Sequence, residues 1–256
     1  MVSGVNRAPR ASSEADTAGR SSGPVGAGRA RRLARALITG GATGAAVVAI
    51  ALLVRERWQP LVDLDRRAVN AGVTIAAAHP TLLRVLVDWQ SAFLASHLIV
   101  VVAVVVLLHW WRTRNTTRAL WALVTILAAW GLSNLLKEIV RRARPVLDQP
   151  VESARGFSFP SGHAANTAAM TTALVVLLWP SLRSRRSRVT AVTGAVVLTL
   201  LTAVDRVLLG VHFPSDVAAG ILFGVGVVLA SYFGYRHWSP PPDPPTTQEP
   251  TREARP

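Results

Sequence analysis

The chain contains no cysteine, and its 28 basic residues face only 14 acidic ones. Without cysteine there is no disulfide framework and no thiolate metal site, and redox compartment leaves no mark. Lysine is nearly absent as well: every basic residue but Lys137 is arginine. Codon bias in a GC-rich genome accounts for that skew and makes the lone lysine a position to watch. Acid scarcity leaves a net charge of +14. Nucleic acid is one partner for such charge. The arginines, however, sit at the ends of apolar runs rather than among exposed aromatics, which is how membrane proteins place them.

Hydrophobic residues make up 50% of the 256 residues, with a mean hydropathy of +0.34. That is too apolar for a soluble domain of this size. Six apolar runs, near 36–54, 92–111, 119–136, 163–181, 189–205 and 216–235, each have the length of a membrane-spanning helix. The expected fold is therefore all-α: a six-helix transmembrane bundle. Residues 1–33, rich in Ala, Ser, Gly and Arg, read as a disordered cytoplasmic leader, and the Pro-rich stretch 239–256 as a disordered cytoplasmic tail. The membrane domain would span 34–238. A cleaved signal peptide is disfavoured for the first run, because its polar leader is long and no small-x-small site follows. Segment 55–91 is too polar to span but carries spaced Leu and Val, and reads as short helices on the outer surface between spans one and two. A roof over a site, a gate and a plain connector all fit it.

Orientation follows from the short loops. Arg112, Arg114 and Arg118 follow run two, Arg183, Arg185, Arg186 and Arg188 follow run four, and Arg29, Arg31, Arg32 and Arg35 precede run one. All three groups fall on one side, which the positive-inside rule makes cytoplasmic. The other side then holds 55–91, 137–162 and 206–215. Tryptophans near run ends (Trp58, Trp89, Trp110, Trp111, Trp121, Trp179 and Trp238) read as an interfacial belt.

Segment 137–162 is strongly basic, with Lys137, Arg141, Arg142, Arg144 and Arg155. A basic loop on the outer side violates the topology rule and suggests a use for the charge. In "KEIVRRARP", Lys137 and Arg144 are two helical turns apart and share a helix face, with Pro145 as the stop; a snorkelling helix end is the plain alternative. Arg141 and Arg142 read as interfacial anchors. In "GFSFPSGHAAN", Ser161 is a good N-cap, and Gly162 opens the helix start to an anion beside His163; an ordinary cap is the alternative. In "DRVLLGVHFPSD", Arg206 precedes His212 by six residues, and Asp216 follows one helical turn later, placed to accept the imidazole N–H and fix its tautomer. A polar interfacial turn is the alternative there.

Taken together, these are three cations, two histidines, one orienting carboxylate and a helix N-terminus on one membrane face. Cations with oriented N–H groups suit a phosphoryl group and its transition state. Two histidines suit the roles of nucleophile and proton donor. No carboxylate or Cys/His cluster points to a metal.

Lys137-x6-Arg144-Pro145, Pro160-Ser161-Gly162-His163 and Arg206-x5-His212-x3-Asp216, in that order, resemble the type-2 phosphatidic acid phosphatase superfamily. That superfamily includes membrane lipid phosphate phosphatases, undecaprenyl-diphosphate phosphatases and the vanadium haloperoxidases. The resemblance covers roughly 119–235. It implies a nucleophilic His212 forming a phosphohistidine, Asp216 as its orienter and His163 as general acid. It also implies phosphate contacts from Lys137, Arg144, Arg206, Ser161 and Gly162, with no metal and no other cofactor. One departure stands out: Asp205 occupies the position where the family usually has serine, and an acid there competes with phosphate for Arg206.

The resulting expectation is a metal-independent phosphatase in a bacterial cell membrane, with both termini inside. It would act at the extracytoplasmic face on phosphatidic acid, phosphatidylglycerol phosphate or undecaprenyl diphosphate. Its partners are lipid substrate and membrane lipid, not nucleic acid. A phosphotransferase, a vanadate-dependent haloperoxidase and a non-catalytic anion-binding membrane protein are the competing classes. His97 and His109 read as interfacial, His79 as a loop residue open to a lid role, and His237 as lying past the last span.

Overall fold

The computed structural model describes residues 25–146 and 156–235. Eight α-helices run in order: α1 (Val25–Arg55), α2 (Gln59–Ala78), α3 (Pro80–Ala92), α4 (Ala95–Thr113), α5 (Thr116–Val140), α6 (Gly162–Leu178), α7 (Arg185–Leu208) and α8 (Pro214–Tyr235). No β-strand occurs among the described residues. Helices α1, α4, α5, α6, α7 and α8 are long and apolar enough to cross a membrane, matching the six expected runs. The ends have local causes. Asn115 and Ser184 accept the Arg118 and Ser187 N–H groups at 3.0 Å and so cap α5 and α7. Prolines occupy the first turns of α2, α3 and α8.

One boundary differs from the sequence expectation. Helix α1 begins at Val25, so residues 25–33 of the expected disordered leader are helical. The stretch "GRARRLARAL" is polar, but Ala, Arg and Leu are strong helix formers and carry the helix outward past its apolar run. The rest of the leader and the tail from 239 lie outside the described residues.

Helix α6 is the hub, packing against α4, α5, α7 and α8, while α1 packs along α8. Small residues make this possible. Ala164, Ala165, Ala168, Ala169 and Ala173 are all buried on α6. A Cβ on Gly220 or Gly224 of α8 would overlap the α6 backbone at Ser161 and Ala165. In lipid, where tails are as apolar as leucine, such close backbone approach supplies the packing that holds helices together. Large apolar side chains such as Leu37, Val100, Val124, Leu127 and Leu200 point outward instead. Trp121 departs from the interfacial belt: it is buried, donates to the Ser231 hydroxyl at 2.9 Å and stacks on Tyr235.

Segment 55–91 does form helices, and they are docked. The buried residues of α2 are Asp65, Val69, Gly72 and Ala76, a single helical stripe. Gly72 lies against the backbone of Val207 and Leu208 at the end of α7, where a Cβ would come within 3.1 Å of the Val207 carbonyl oxygen. Ala76 and Leu86 pack on Leu209 and Val211. Trp89 of α3 donates to Thr202 of α7 at 3.3 Å and stacks on Phe93. Helices α2 and α3 thus clamp the turn between α7 and α8, which carries His212.

Candidate active site

That turn is tightly built. Gly210 takes a left-handed φ of +70°, and the Arg206 carbonyl accepts from both the Val211 and His212 N–H groups, at 3.2 and 3.3 Å. A left-handed backbone here favours glycine. His212 is thereby turned inward and is 3% exposed.

The approach from α5 corrects one expectation. Lys137 and Arg144 do not share a helix face, because α5 ends at Val140. Arg141 adopts a left-handed φ of +51° and returns its N–H to the Lys137 carbonyl at 2.9 Å, so Arg144 lies on non-helical chain. Ser158 fastens this stretch by donating its N–H to the Arg142 carbonyl at 2.8 Å and its hydroxyl to Ala143 at 3.0 Å. The two cations nevertheless converge. With His163, Gly162, His212, Asn166 and Phe93 they line one cavity of about 170 Å3. Lys137 Nζ donates to the Phe157 carbonyl at 3.1 Å and sits 4.0 Å from where a Gly162 Cβ would be, directly over the start of α6.

Within the cavity, Arg144 Nη1 is 3.2 Å from His212 Nε2 and donates to the Val211 carbonyl at 2.8 Å. A guanidinium has no lone pair to offer, so Nε2 is the unprotonated nitrogen and Nδ1 carries the proton. Nδ1 faces Asp216 Oδ2 at 3.6 Å, an electrostatic contact longer than a hydrogen bond. Burial pushes the His212 imidazole down to about 4. Asp216 pulls it partly back up, while Arg144 and Lys137 push it further down. His212 is therefore neutral in the physiological range, with the Nε2 lone pair facing the Arg144 donor. Accordingly, its ring signal in histidine-labelled protein, recognised by its loss in His212→Ala, titrates near pH 4 by NMR. A midpoint at 6 or above would reject the buried, cation-flanked environment.

Ser161 precedes α6, and its backbone N–H donates to the Asp216 carbonyl at 2.9 Å. Its side chain is not a cap: Ser161 Oγ is buried without a hydrogen-bond partner, as is His163 Nε2. Such atoms are costly to bury unless something arrives to meet them. Arg206 is placed differently from expectation. Both its Nε and Nη2 donate to Asp205 Oδ2, the former at 2.8 Å, and both residues are 2% exposed. The pairing anticipated from the Asp205 substitution is present, and Arg206 is absent from the cavity lining.

Three residues were missed. Arg142, read as an interfacial anchor, is instead the centre of a buried network. Its Nη1 meets Asp216 Oδ1 at 2.6 Å and Ser215 Oγ at 2.7 Å, and its Nη2 meets Asp65 Oδ2 at 2.7 Å. Asp65 also accepts the Ser215 N–H at 3.0 Å and the Ser215 hydroxyl. Asp65 and Asp216 are both fully buried. A signal for Asp65 existed: it stands four, seven and eleven positions before Val69, Gly72 and Ala76, on the helix stripe that must face inward. Asp63 does not. His79, by contrast, is exposed at the α2–α3 joint with Nδ1 on the Ile75 carbonyl at 2.9 Å, and it takes no part in the cavity. His237 and Arg155 lie outside the described residues.

Residues 118–239 match the PAP2 superfamily. The chain is 39% identical over 115 residues to decaprenylphosphoryl-5-phosphoribose phosphatase of Mycobacterium tuberculosis, covering 42% of this chain and 57% of that protein. It is 34% identical over 119 residues to phosphatidylglycerophosphatase B of Bacillus subtilis, covering 44% and 56%. It is 38% identical over 109 residues to lipid A 1-phosphatase of Rhizobium etli, covering 39% and 43%. The chain spans about half the length of the curated relatives it matches. The fold is that of the transmembrane PAP2-type phosphatidylglycerolphosphate phosphatase from Bacillus subtilis, with a TM-score of 0.66 at 24% identity over 75% of this chain and 96% of that one.

Proposed function

We propose that this chain is an integral membrane phosphatase that hydrolyses a lipid phosphate or lipid diphosphate through a phosphohistidine at His212. The observation that carries the reading is the lone pair of His212 Nε2, held neutral and buried in a cavity whose other groups are Lys137, Arg144, Gly162 and His163. In the first step Nε2 attacks phosphorus, the N–P bond forms and the P–O bond to the lipid breaks. His163, drawn to its protonated form by the bound phosphate anion, gives that proton to the departing oxygen and is left neutral. Nδ1 keeps its proton, and Asp216 steadies the positive charge on the ring. In the second step His163 takes a proton from water, the water oxygen attacks phosphorus, and the N–P bond breaks to release inorganic phosphate. Lys137, Arg144 and the α6 N-terminus hold the equatorial oxygens, with Ser161 Oγ as a further donor. Lys137 and Arg144 bring two cations to the cavity beside His212, which supports cation-based charge stabilisation.

Phosphate release by the purified protein from phosphatidic acid, phosphatidylglycerol phosphate and undecaprenyl diphosphate tests this reading. Release is expected to survive a chelator and to be inhibited by vanadate. Loss on chelation with recovery on added magnesium would overturn the electrostatic assignment. Phosphate passed to an added alcohol rather than to water would make the chain a transferase.

The catalytic face is proposed to be extracytoplasmic, supported by the arginine-rich turns around Arg112–Arg118 and Arg183–Arg188 at the opposite ends of the spans. An impermeant thiol reagent should label Ala143→Cys in intact cells and Arg186→Cys only after lysis. The reverse pattern inverts the topology.

A further inference from the structure

Beside the small cavity lies a much larger one, of about 840 Å3, whose role the mechanism above leaves open. Its charged wall comes from three places in the chain: Arg55 and Arg57 after the first span, Arg66 on α2, and Arg141, Arg142 and Arg144 after α5. Among the described residues no Asp or Glu lines it. Arg142 is satisfied by Asp65 and Asp216 beneath the surface. Arg55, Arg57, Arg66 and Arg141 form no ion pair with any carboxylate among the described residues. Arg141 is steered only by the Glu138 backbone carbonyl at 2.9 Å and by the Phe157 ring. Arg57 and Arg141 both hold left-handed backbones, with φ of 52° and 51°. Such positions select glycine or asparagine on backbone grounds, not arginine.

Arg144 lines both cavities. A group in the large cavity is therefore a neighbour of the group being cleaved, not a remote surface ligand. Four exposed guanidiniums without a carboxylate partner among the described residues line one concavity, and their planar forks suit phosphate oxygens. We propose that the large cavity seats a second phosphate of the same substrate molecule, so that the preferred substrate carries two: the terminal one cleaved at His212 and an inner diester or diphosphate held by Arg57, Arg66 and Arg141. This rests on the phosphatase reading and narrows it. A lipid with a single phosphate fills the small cavity and leaves the arginines unmatched. Helix α2 then has two jobs, since Asp65 faces inward to Arg142 while Arg66, next to it, faces the cavity.

The test compares phosphatidylglycerol phosphate, with two phosphates, and phosphatidic acid, with one, matched in acyl chains and dispersed in neutral detergent micelles. The variants are Arg66→Ala alone and the triple Arg57→Asn/Arg66→Ala/Arg141→Asn, asparagine being chosen because it tolerates a left-handed backbone. The wild type is expected to favour the two-phosphate lipid in kcat/KM. That preference should fall about ten-fold in the triple variant, mainly through KM, as loss of uniform binding requires. An unchanged ratio, or parallel losses on both lipids, overturns the inference. Repeating the assay with phosphatidylglycerol as diluent separates the other source of phosphate. A defect seen only when that anionic lipid is present assigns the cavity to bulk headgroups and also overturns it. Release by the wild type from neither lipid, nor from undecaprenyl diphosphate assayed alongside, removes the phosphatase reading itself, whereas release with an unshifted ratio removes this inference alone.

Discussion

His212→Ala is expected to cut phosphate release by about six orders of magnitude, the scale seen when a nucleophile is removed from a covalent mechanism, while leaving the bundle folded. The second half of that expectation comes from the local hydrogen bonds. His212 Nδ1 has no hydrogen-bond partner to orphan. Asp216 keeps Arg142 and the Phe213 N–H at 3.0 Å. Arg144 keeps the Val211 and Gly156 carbonyls. Truncation therefore leaves a small polar void open to the cavity rather than a buried unpaired charge, and thermal melting should shift little. His163→Ala should slow phosphohistidine formation less on substrates with good leaving groups, because only a poor one needs its proton, while the water step stays slowed on every substrate. Wild type quenched in alkaline detergent after incubation with phosphate-labelled lipid should hold phosphate that is stable to base and lost in acid, and His212→Ala should hold none. Turnover near the wild-type rate in His212→Ala would sink the mechanism.

How much of this was legible in the sequence depended on whether the signal was local. The six spans were, because a bilayer demands an unbroken apolar run and the runs stand out from arginine-rich turns. Lys137, His163, His212 and Asp216 were found from spacing, and the structure brings Lys137 and His163 to the His212 cavity. The stop of α5 was not legible. A helix through Arg144 and a helix ending at Val140 read alike until the left-handed Arg141 is seen, and that single backbone choice decides which of two adjacent arginines turns inward. The α2 contribution failed for a different reason. Asp65 matters only because Arg142, 77 positions away, points back at it, and no local pattern encodes a pairing of that range. Asp205 was the reverse case: neighbours in sequence became partners in space.

Arg142→Ala is expected to be the most destabilising single substitution near the site, by about 3–5 kcal/mol, the cost of leaving buried charge without its partner. Asp65 and Asp216 are fully buried and share this one guanidinium. Without it, two carboxylates face each other with only hydroxyl and backbone donors between them. Exposed ion pairs contribute far less, about 0.2–1 kcal/mol, so the size of the effect reports the burial directly. Arg141→Asn is the control one residue away: its side chain is exposed and pairs with no carboxylate, and stability should move by about 0.5 kcal/mol or less. The double variant Arg142→Ala/Asp65→Asn should melt higher than Arg142→Ala, because removing one of the stranded charges relieves the other. The two losses are then not additive, as expected of side chains in direct contact. Denaturant or thermal unfolding of wild type, Arg142→Ala, Asp65→Asn, their double variant and Arg141→Asn in the same detergent decides the matter. If Arg142→Ala melts with the wild type, or if the double variant melts below both singles by their sum, the three side chains do not act as one network. Helix α2 would then be held by Val69, Gly72 and Ala76 alone.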